Sequence, residues 1–512
     1  MASMNFRVLA LLALLPVLCL AQDRGTITGI VTDSSGSSIP GTDVSFVHPA
    51  TGLTQTTSTG PDGSYTFVNL TSGLYTLKAA AEGFRTTQVS DLQVQVNTTT
   101  RMDIQLEVGA LQEVVEVVGD APLLQADRSD LGRVVDNRAI QKLPLFLSGG
   151  LRSNNAFAGL VPGVAMNLAS DPDTTGGSPR IAGGQGQGAS QLVDGGETMS
   201  ERRNDPQMRA VSADGVEEFK VQSGAYSAEY GRTSNGIMNY TTKSGTNEFH
   251  GTFFSQHRNE HLNAEGFFWG DRGESLQRQT SFAAAIGGPV YIPKVFDGRN
   301  KAFWFFSGER SRSKARRSTG LVQLPIEDFR NGDFRRYTNA AGNMVPLYDP
   351  FDNAGNIIPD ARDRPLLGCN GVQNVICPNR ISPVALEMFK HLPLPDDPTK
   401  VFNNTAERFN GTRTPGALAG VYSIKGDYNA TDKLRFNGMF STQYFDNPPL
   451  IGPIPGPLAN AFQEFGHFKY YRANADYVIS PTLLNHFTFS HNRRNLGEGP
   501  NLGLTEEFRA AT

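Results

Sequence analysis

The string His257-Arg258-Asn259-Glu260-His261 has the residue types and spacing best suited to catalysis, since H-x-x-E-H is the metal-binding string of inverted zinc peptidases. That chemistry needs both imidazoles on one helical turn. Here the string follows an alternating run, and on a strand residues four apart stand roughly 13 Å from one another. It therefore reads as a strand end entering a loop. The rival reading, a secreted peptidase, predicts zinc-dependent activity lost on His257→Ala. The glycines of Ile181 to Asp194 and of Gly195-Gly196 fit no phosphate loop, because neither G-x-G-x-x-G nor a Gly followed by Lys-Ser/Thr occurs there. They fit close backbone approach in a packed interior. No G-x-S-x-G elbow or paired zinc-type Cys motif is found either. The expectation is no catalytic residue, no metal and no cofactor.

Arg7, an apolar run from Val8 to Leu20 and the small residue Ala21 form a secretory signal, with cleavage expected after Ala21. Cys19 does not make a lipidation site, because Leu18 stands where a small residue is required. In the exported chain Cys369 and Cys377 remain, close together in an oxidising compartment, so a local loop-closing disulfide is expected. Two thiols alone fall short of the four ligands of structural zinc. Lys and Arg number 46 against 50 Asp and Glu, a net charge of −4, which gives no basic face for nucleic acid.

The elements that carry these residues are strands. From Arg24 to Val108 short alternating runs (Thr26 to Thr32, Asp43 to His48, Ser64 to Val68, Leu74 to Ala80, Arg101 to Leu106) are separated by turn signals, the pattern of a small β-sandwich. Val114-Val115-Glu116-Val117-Val118 is a further β-branched run. The segment 120–245 is mixed and Gly-rich. Seven longer runs follow: Phe249 to Arg258, Thr280 to Tyr291, Ala302 to Ser313, Gly420 to Tyr428, Lys433 to Phe445, His467 to Ile479 and Leu483 to Asn492. In the fifth, Leu434, Phe436, Phe440 and Tyr444 share one face while Arg435, Asn437, Ser441 and Gln443 share the other. In the sixth, Tyr471, Ala473, Ala475 and Tyr477 alternate with Arg472, Asn474 and Asp476. This dyad pattern is that of membrane barrels, apolar toward lipid and polar toward the lumen. Every second connection is short, and the intervening ones are long, above all Lys314 to Ala419. Short periplasmic turns and long external loops have that asymmetry.

The stretch from Phe219 to Gly251 joins the two halves. Its segments Glu218-Phe219-Lys220-Val221, Tyr226 to Arg232 (YSAEYGR) and Thr242 to Asn247 (TKSGTN) resemble the plug-to-barrel junction of TonB-dependent outer-membrane receptors, in the Oar-like branch. GTITGIVTDSSGSSIPGTDVSF, from Gly25, is similar to a carboxypeptidase-regulatory-like domain. The resemblance implies an all-β-dominated chain: a signal (1–21), a prealbumin- or carbohydrate-binding-like β-sandwich (24–108), a TonB-box candidate (110–119), an α+β plug (120–245) and an incomplete transmembrane β-barrel (246–512). It further implies residence in the outer membrane with periplasmic N-terminal domains. The partners implied are TonB, an external ligand of unknown identity, outer-membrane lipid and lipopolysaccharide.

Several readings stay open. Val114 to Val118 is either the TonB box, which pairs by strand addition, or the last strand of the sandwich or first of the plug. The sandwich is an interaction or spacer module, or it binds glycan. Asp194, Gly195 and Gly196 make a plug turn. Arg310, Arg312, Lys314 and Arg316, recurring every second residue, form a strip facing lipopolysaccharide phosphates or a solvated strand extension. Family barrels have about 22 strands, and seven are found before Thr512, without a terminal aromatic strand. An open sheet in lipid leaves unpaired edges, so the chain is expected to be the N-terminal part of a longer protein. The alternative function is a surface adhesion or scaffold protein with a glycan-binding sandwich.

Overall fold

In a strand, successive side chains point to opposite faces, so an alternating sequence buries one face only if the backbone is extended and paired. The computed structural model describes residues 24–109, 114–118, 131–136, most of 140–262, 277–315, most of 321–395, 405–407, 417–450, 462–480 and 483–500. The signal segment, Arg316 and the terminal Glu506 to Thr512 lie outside the described residues.

The N-terminal domain is a two-sheet sandwich. Strands β1 (Gly25–Asp33), β4 (Ser64–Leu70), β7 (Thr99–Arg101) and β8 (Ile104–Leu106) form one sheet. Strands β2 (Asp43–His48), β3 (Leu53–Ser58), β5 (Gly73–Ala80), β6 (Thr86–Val94) and β9 (Val114–Val118) form the other, in the order β3-β2-β5-β6-β9. Inward residues of both sheets, among them Ile27, Val31, Phe46, Tyr75, Leu77 and Leu92, make one buried core. Phe46 meets Phe67 edge-on, with ring centroids 4.9 Å apart, a contact worth about 1 kcal/mol beyond its buried area. Two strands escape the sequence reading. Thr54, Thr56 and Thr57 leave β3 without an apolar face, and β6 carries its alternation in Thr87, Val89 and Leu92 across polar neighbours.

The plug is a five-stranded sheet of β10 (Leu131–Asp136), β11 (Ala189–Val193), β12 (Gly196–Glu197), β13 (Val216–Gly224) and β14 (Gly236–Thr242), ordered β10-β13-β14-β11-β12. Two 3-10 turns, Asn154–Leu160 and Ala213–Gly215, lie beside it. The Gly-rich stretch from Ile181 to Asp194 is divided: Ala182 and Gly183 have positive φ and turn the chain. Ile181 pairs with Val164 in a separate hairpin, and the middle of the sheet is β14.

Beyond the plug, β15 (His250–Arg258), β16 (Gln277–Pro289), β17 (Ala302–Ala315), β18 (Ala417–Asn429), β19 (Leu434–Leu450), β20 (Phe462–Ser480) and β21 (Leu483–Pro500) form one antiparallel sheet in chain order. All seven expected runs are present and mostly longer at their outer ends. Strands β19 and β20 reach 17 and 19 residues, whereas about 9–11 suffice to cross a bilayer. Phe436, Phe440, Tyr471 and Tyr477 are exposed on the outer face, and Arg435, Asn437, Arg472, Asn474 and Asp476 are buried on the inner one.

The sandwich sits at the short-turn end of this wall. Gln55 Nε2 donates to the carbonyl of Asp432 at 2.8 Å, and Asn247 N–H donates to that of Ala50 at 2.9 Å. Arg24 pairs with Asp476 at 3.1 Å, and Arg435 Nη1 donates to the Asn69 carbonyl at 3.0 Å. The end chosen from loop lengths as periplasmic is thus the end that the N-terminal domain covers.

His48 lies at this junction, its Nδ1 2.7 Å from Thr51 Oγ1 and its ring 4.8 Å from that of Tyr75. Burial first, and Arg435 second, push its imidazole down from 6.5 to about 4. Between those values the unfolded chain binds a proton that the folded one does not, so stability is full above pH 6.5 and falls as the pH drops toward 4. Chemical denaturation of the sandwich should lose about 2 kcal/mol between pH 7 and pH 5. His48→Gln should remove most of that loss, and an equal loss in the variant would refute this origin.

Candidate functional site

The inward face of the wall carries charged groups that a lipid-facing strand could not hold, and the plug supplies their partners. Arg152 lies in the short strand Leu151–Arg152. Its backbone N–H donates to Glu309 Oε1 at 2.8 Å and its Nε to Glu309 Oε2 at 3.2 Å. Its Nη2 lies 2.5 Å from Asp214 Oδ2. The Phe254 ring lies under the guanidinium, 4.2 Å to its centroid, a cation-π contact strengthened by exclusion of water. Burial would lower the pKa of Arg152. The carboxylates of Glu309 and Asp214 outweigh it and hold the group above its ordinary value. Arg152 and Asp214 belong to the plug, and Glu309 and Phe254 to β17 and β15.

A second clasp surrounds the turn between β11 and β12. Val193 pairs with Gly196 across a two-residue loop in which Asp194 and Gly195 have φ of 45° and 77°. Positive φ at both positions is the I′ hairpin geometry that Asp-Gly favours. Asp194 Oδ1 accepts from Thr242 N–H at 2.9 Å, and Oδ2 accepts from Thr242 Oγ1 at 2.5 Å. Lys425 Nζ, from β18, stands 3.4 Å from Oδ2. From β20, Arg472 donates to the carbonyls of Val193, Gly196 and Glu197 at 3.2 to 3.4 Å, and Asn474 Nδ2 to that of Asp194 at 3.4 Å. A Cβ on Gly196 would lie 1.9 Å from Arg472 Nε, so a side chain there would push the guanidinium off these carbonyls. The expected plug turn is therefore the point at which wall cations grip plug carbonyls.

Apolar packing completes the seat. Phe219 stacks on Tyr240 at 5.0 Å, and the plug core continues into Met439, Phe468 and Tyr470 of the wall. On the opposite face of β13, Glu218 accepts from the Val96 N–H and Lys220 Nζ donates to the Asn97 carbonyl at 2.7 Å, both in the loop after β6. A cavity of about 540 Å³ lies between sandwich, plug and wall, with Arg24, His48, Glu217 and Lys425 among its lining.

The remaining sequence-marked residues are dispersed. Val114 to Val118 pairs in parallel with β6, from Thr86↔Val114 to Ser90↔Val118. Arg310, Arg312 and Lys314 stand exposed on the outer face of β17, toward the end where the long connections lie. Cys369 and Cys377 are joined in the external excursion, Cα to Cα 5.1 Å, near an Arg380–Asp349 pair at 2.5 Å. His257 Nδ1 meets Thr280 Oγ1 at 2.9 Å, and Glu260 accepts from Arg278 Nε at 2.9 Å. Among the described residues no group of three His, Cys, Asp or Glu is arranged to hold a metal. Sequence reasoning missed Arg152, Glu309, Lys425 and the Glu218/Lys220 pair. Glu309 carried a usable signal, since an ionisable residue inside an aromatic membrane strand points inward to a partner.

Comparison with known proteins matches three family models in this order: a carboxypeptidase regulatory-like domain over residues 26–107, a TonB-dependent receptor plug domain over 145–237 and an outer membrane beta barrel domain over 241–510. The TonB-dependent transporter Oar of Myxococcus xanthus is 32% identical over 328 residues, covering 59% of this chain. The chain spans 28% of that relative's length. Among solved structures, the siderophore receptor PirA of Pseudomonas aeruginosa aligns with 12% identity and a TM-score of 0.37, over 72% of this chain and 41% of its own. The outer membrane transporter YddB of Escherichia coli aligns with 9% identity and a TM-score of 0.39, over 70% and 38%. The barrel model alone accounts for more than half of the sequence, and with the plug and regulatory-like models in series before it, the chain belongs to the outer membrane β-barrel family as an Oar-like TonB-dependent receptor, resident in the outer membrane with its N-terminus in the periplasm.

Proposed function

We propose that the protein moves a ligand across the outer membrane by TonB-driven rearrangement of the plug. The observation that carries this reading is the character of the seat. Arg152, Asp194, Lys425 and Arg472 join plug to wall through ion pairs and carbonyl contacts. Such groups can exchange their partners for water when the plug moves, whereas a purely apolar seat would expose bare hydrocarbon. The work is conformational, and no residue is assigned a catalytic role. Ligand enters among the long external connections, and its chemical identity is not encoded in any residue described above.

Val114 to Val118 is the segment proposed to receive TonB by strand addition. Deleting it should lower binding of TonB's periplasmic domain to the membrane-embedded protein at least tenfold, measured by co-precipitation. Unchanged binding would remove the reading, and a function in adhesion would survive the deletion. Arg310, Arg312 and Lys314 are proposed to contact lipopolysaccharide phosphate through charge-assisted hydrogen bonds. Changing all three to Gln should reduce lipopolysaccharide co-purifying with the protein at least threefold, and no change would leave them a solvated strand extension.

A further inference from the structure

We propose that the N-terminal sandwich is the mechanical coupling between the TonB-contacting strand and the plug. The inference rests on the assignment of Val114 to Val118 above, and it gives the domain a transmitting function rather than a spacer one.

Strand β9 is built into the sandwich. Five consecutive residues pair with β6, and Ser90 Oγ donates to Glu116 Oε1 at 3.0 Å. It is the last strand of its sheet, so among the described residues its other edge carries no strand. A partner strand can add there without breaking any existing pair. Val114 and Val117 are 55% and 40% exposed, so the sandwich leaves apolar area for an incoming sheet to cover.

Strand β6 then leads straight to the plug. It ends at Val94, and Val96 and Asn97, two and three residues on, are those gripped by Glu218 and Lys220. Lys220 and Glu218 are 1% and 4% exposed. Each contact is therefore made where water has little access, and removing a side chain takes away one bond between the two domains. Both side chains belong to β13, which lies between β10 and β14 in the plug sheet. A load along β9 is shared by all its bonds to β6 at once, because the strands run parallel and the load acts in shear. It then passes through two side chains into the interior of the plug sheet. The covalent route from β9 to β10 runs through residues 119–130, a contour of roughly 40 Å. The sandwich route joins the same two bodies through direct contacts.

The test uses the full-length protein in its own outer membrane, with Thr198→Cys as reporter. Thr198 is fully buried in the plug, so TonB-dependent labelling of this cysteine by a membrane-impermeant maleimide reports plug movement. In one arm, Gln88→Cys and Glu116→Cys, an opposed pair on β6 and β9, are oxidised to lock the strand onto the sandwich. Labelling should stay within twofold of the unlocked protein. In the other, Glu218→Leu with Lys220→Met cuts the grip, since neither side chain can then accept from Val96 or donate to Asn97: binding of TonB's periplasmic domain should be unchanged while labelling falls at least fivefold. Loss of labelling in the locked form, restored by dithiothreitol, would show that β9 must leave the sandwich and would overturn the proposal. Normal labelling in the cut form would do the same. If deleting Val114 to Val118 leaves labelling intact, it is the TonB assignment that fails, a result distinct from both.

Discussion

Glu309→Gln is expected to loosen the plug from the wall by about 3–5 kcal/mol, the usual cost of removing one partner from a buried ion pair. Glu309 is 1% exposed and takes both the backbone N–H and the Nε of Arg152. The amide can accept only one of those bonds and would turn an NH₂ donor toward the other. Arg152 keeps Asp214 but loses half of its countercharge in a site from which water is excluded. Urea titration of the membrane-embedded protein, with protease cleavage of the plug as readout, should show a lowered plug midpoint while the wall transition is unchanged. The double variant Arg152→Met with Glu309→Leu should cost less than the sum of the singles, because the surviving group of each single variant is then no longer a stranded charge. A midpoint unmoved in Glu309→Gln would mean that the pair contributes nothing to seating.

The second large effect is expected at Asp194. Asp194→Ala removes both acceptors of Thr242 and the carboxylate beside Lys425, which is itself 8% exposed. It also places alanine at a φ of 45°, a left-handed conformation that costs an L residue about 1–2 kcal/mol. Lys425 Nζ keeps its bonds to the Thr242 carbonyl and Oγ1 at 3.2 and 3.0 Å but loses its carboxylate, a further cost of roughly 3 kcal/mol. Asp194→Asn keeps a residue that tolerates the left-handed region and retains one acceptor, so it should lose less in the same urea assay, by at least the strain of about 1–2 kcal/mol. Equal losses would mean that charge, not backbone conformation, dominates. Equal retention would mean that the turn is held by Arg472 and Asn474 alone.

How legible these sites were depends on the range of the forces that make them. The Asp194-Gly195-Gly196 turn could be read because a two-residue I′ loop is specified by its own residue types. The wall faces could be read for a similar reason: Phe436 against Arg435 and Tyr471 against Arg472 differ by one position in a period of two. The connection lengths added the orientation, since short and long loops alternate along the chain. Strands β3 and β6 were illegible because their apolar alternation is interrupted, by threonines in β3 and by Thr86, Gln88 and Asp91 in β6. Their strand state comes from pairing with β2 and β5.

The partners of Arg152, Lys220 and Lys425 were beyond reach for a different reason. Each is a lone cation in sequence, separated from Glu309, Asn97 and Asp194 by 157, 123 and more than 200 positions. No local propensity connects them. By itself the sequence determined what is periodic or contiguous: a small sandwich, a Gly-rich middle and seven strands with one face for lipid and one for a polar interior. Only the tertiary structure decided which charge meets which, that Val114 to Val118 is a strand of the sandwich sheet, and that Glu218 and Lys220 face that domain. Such choices follow from excluding water between surfaces that only the folded chain brings together, where a buried charge takes whichever partner the packing sets beside it.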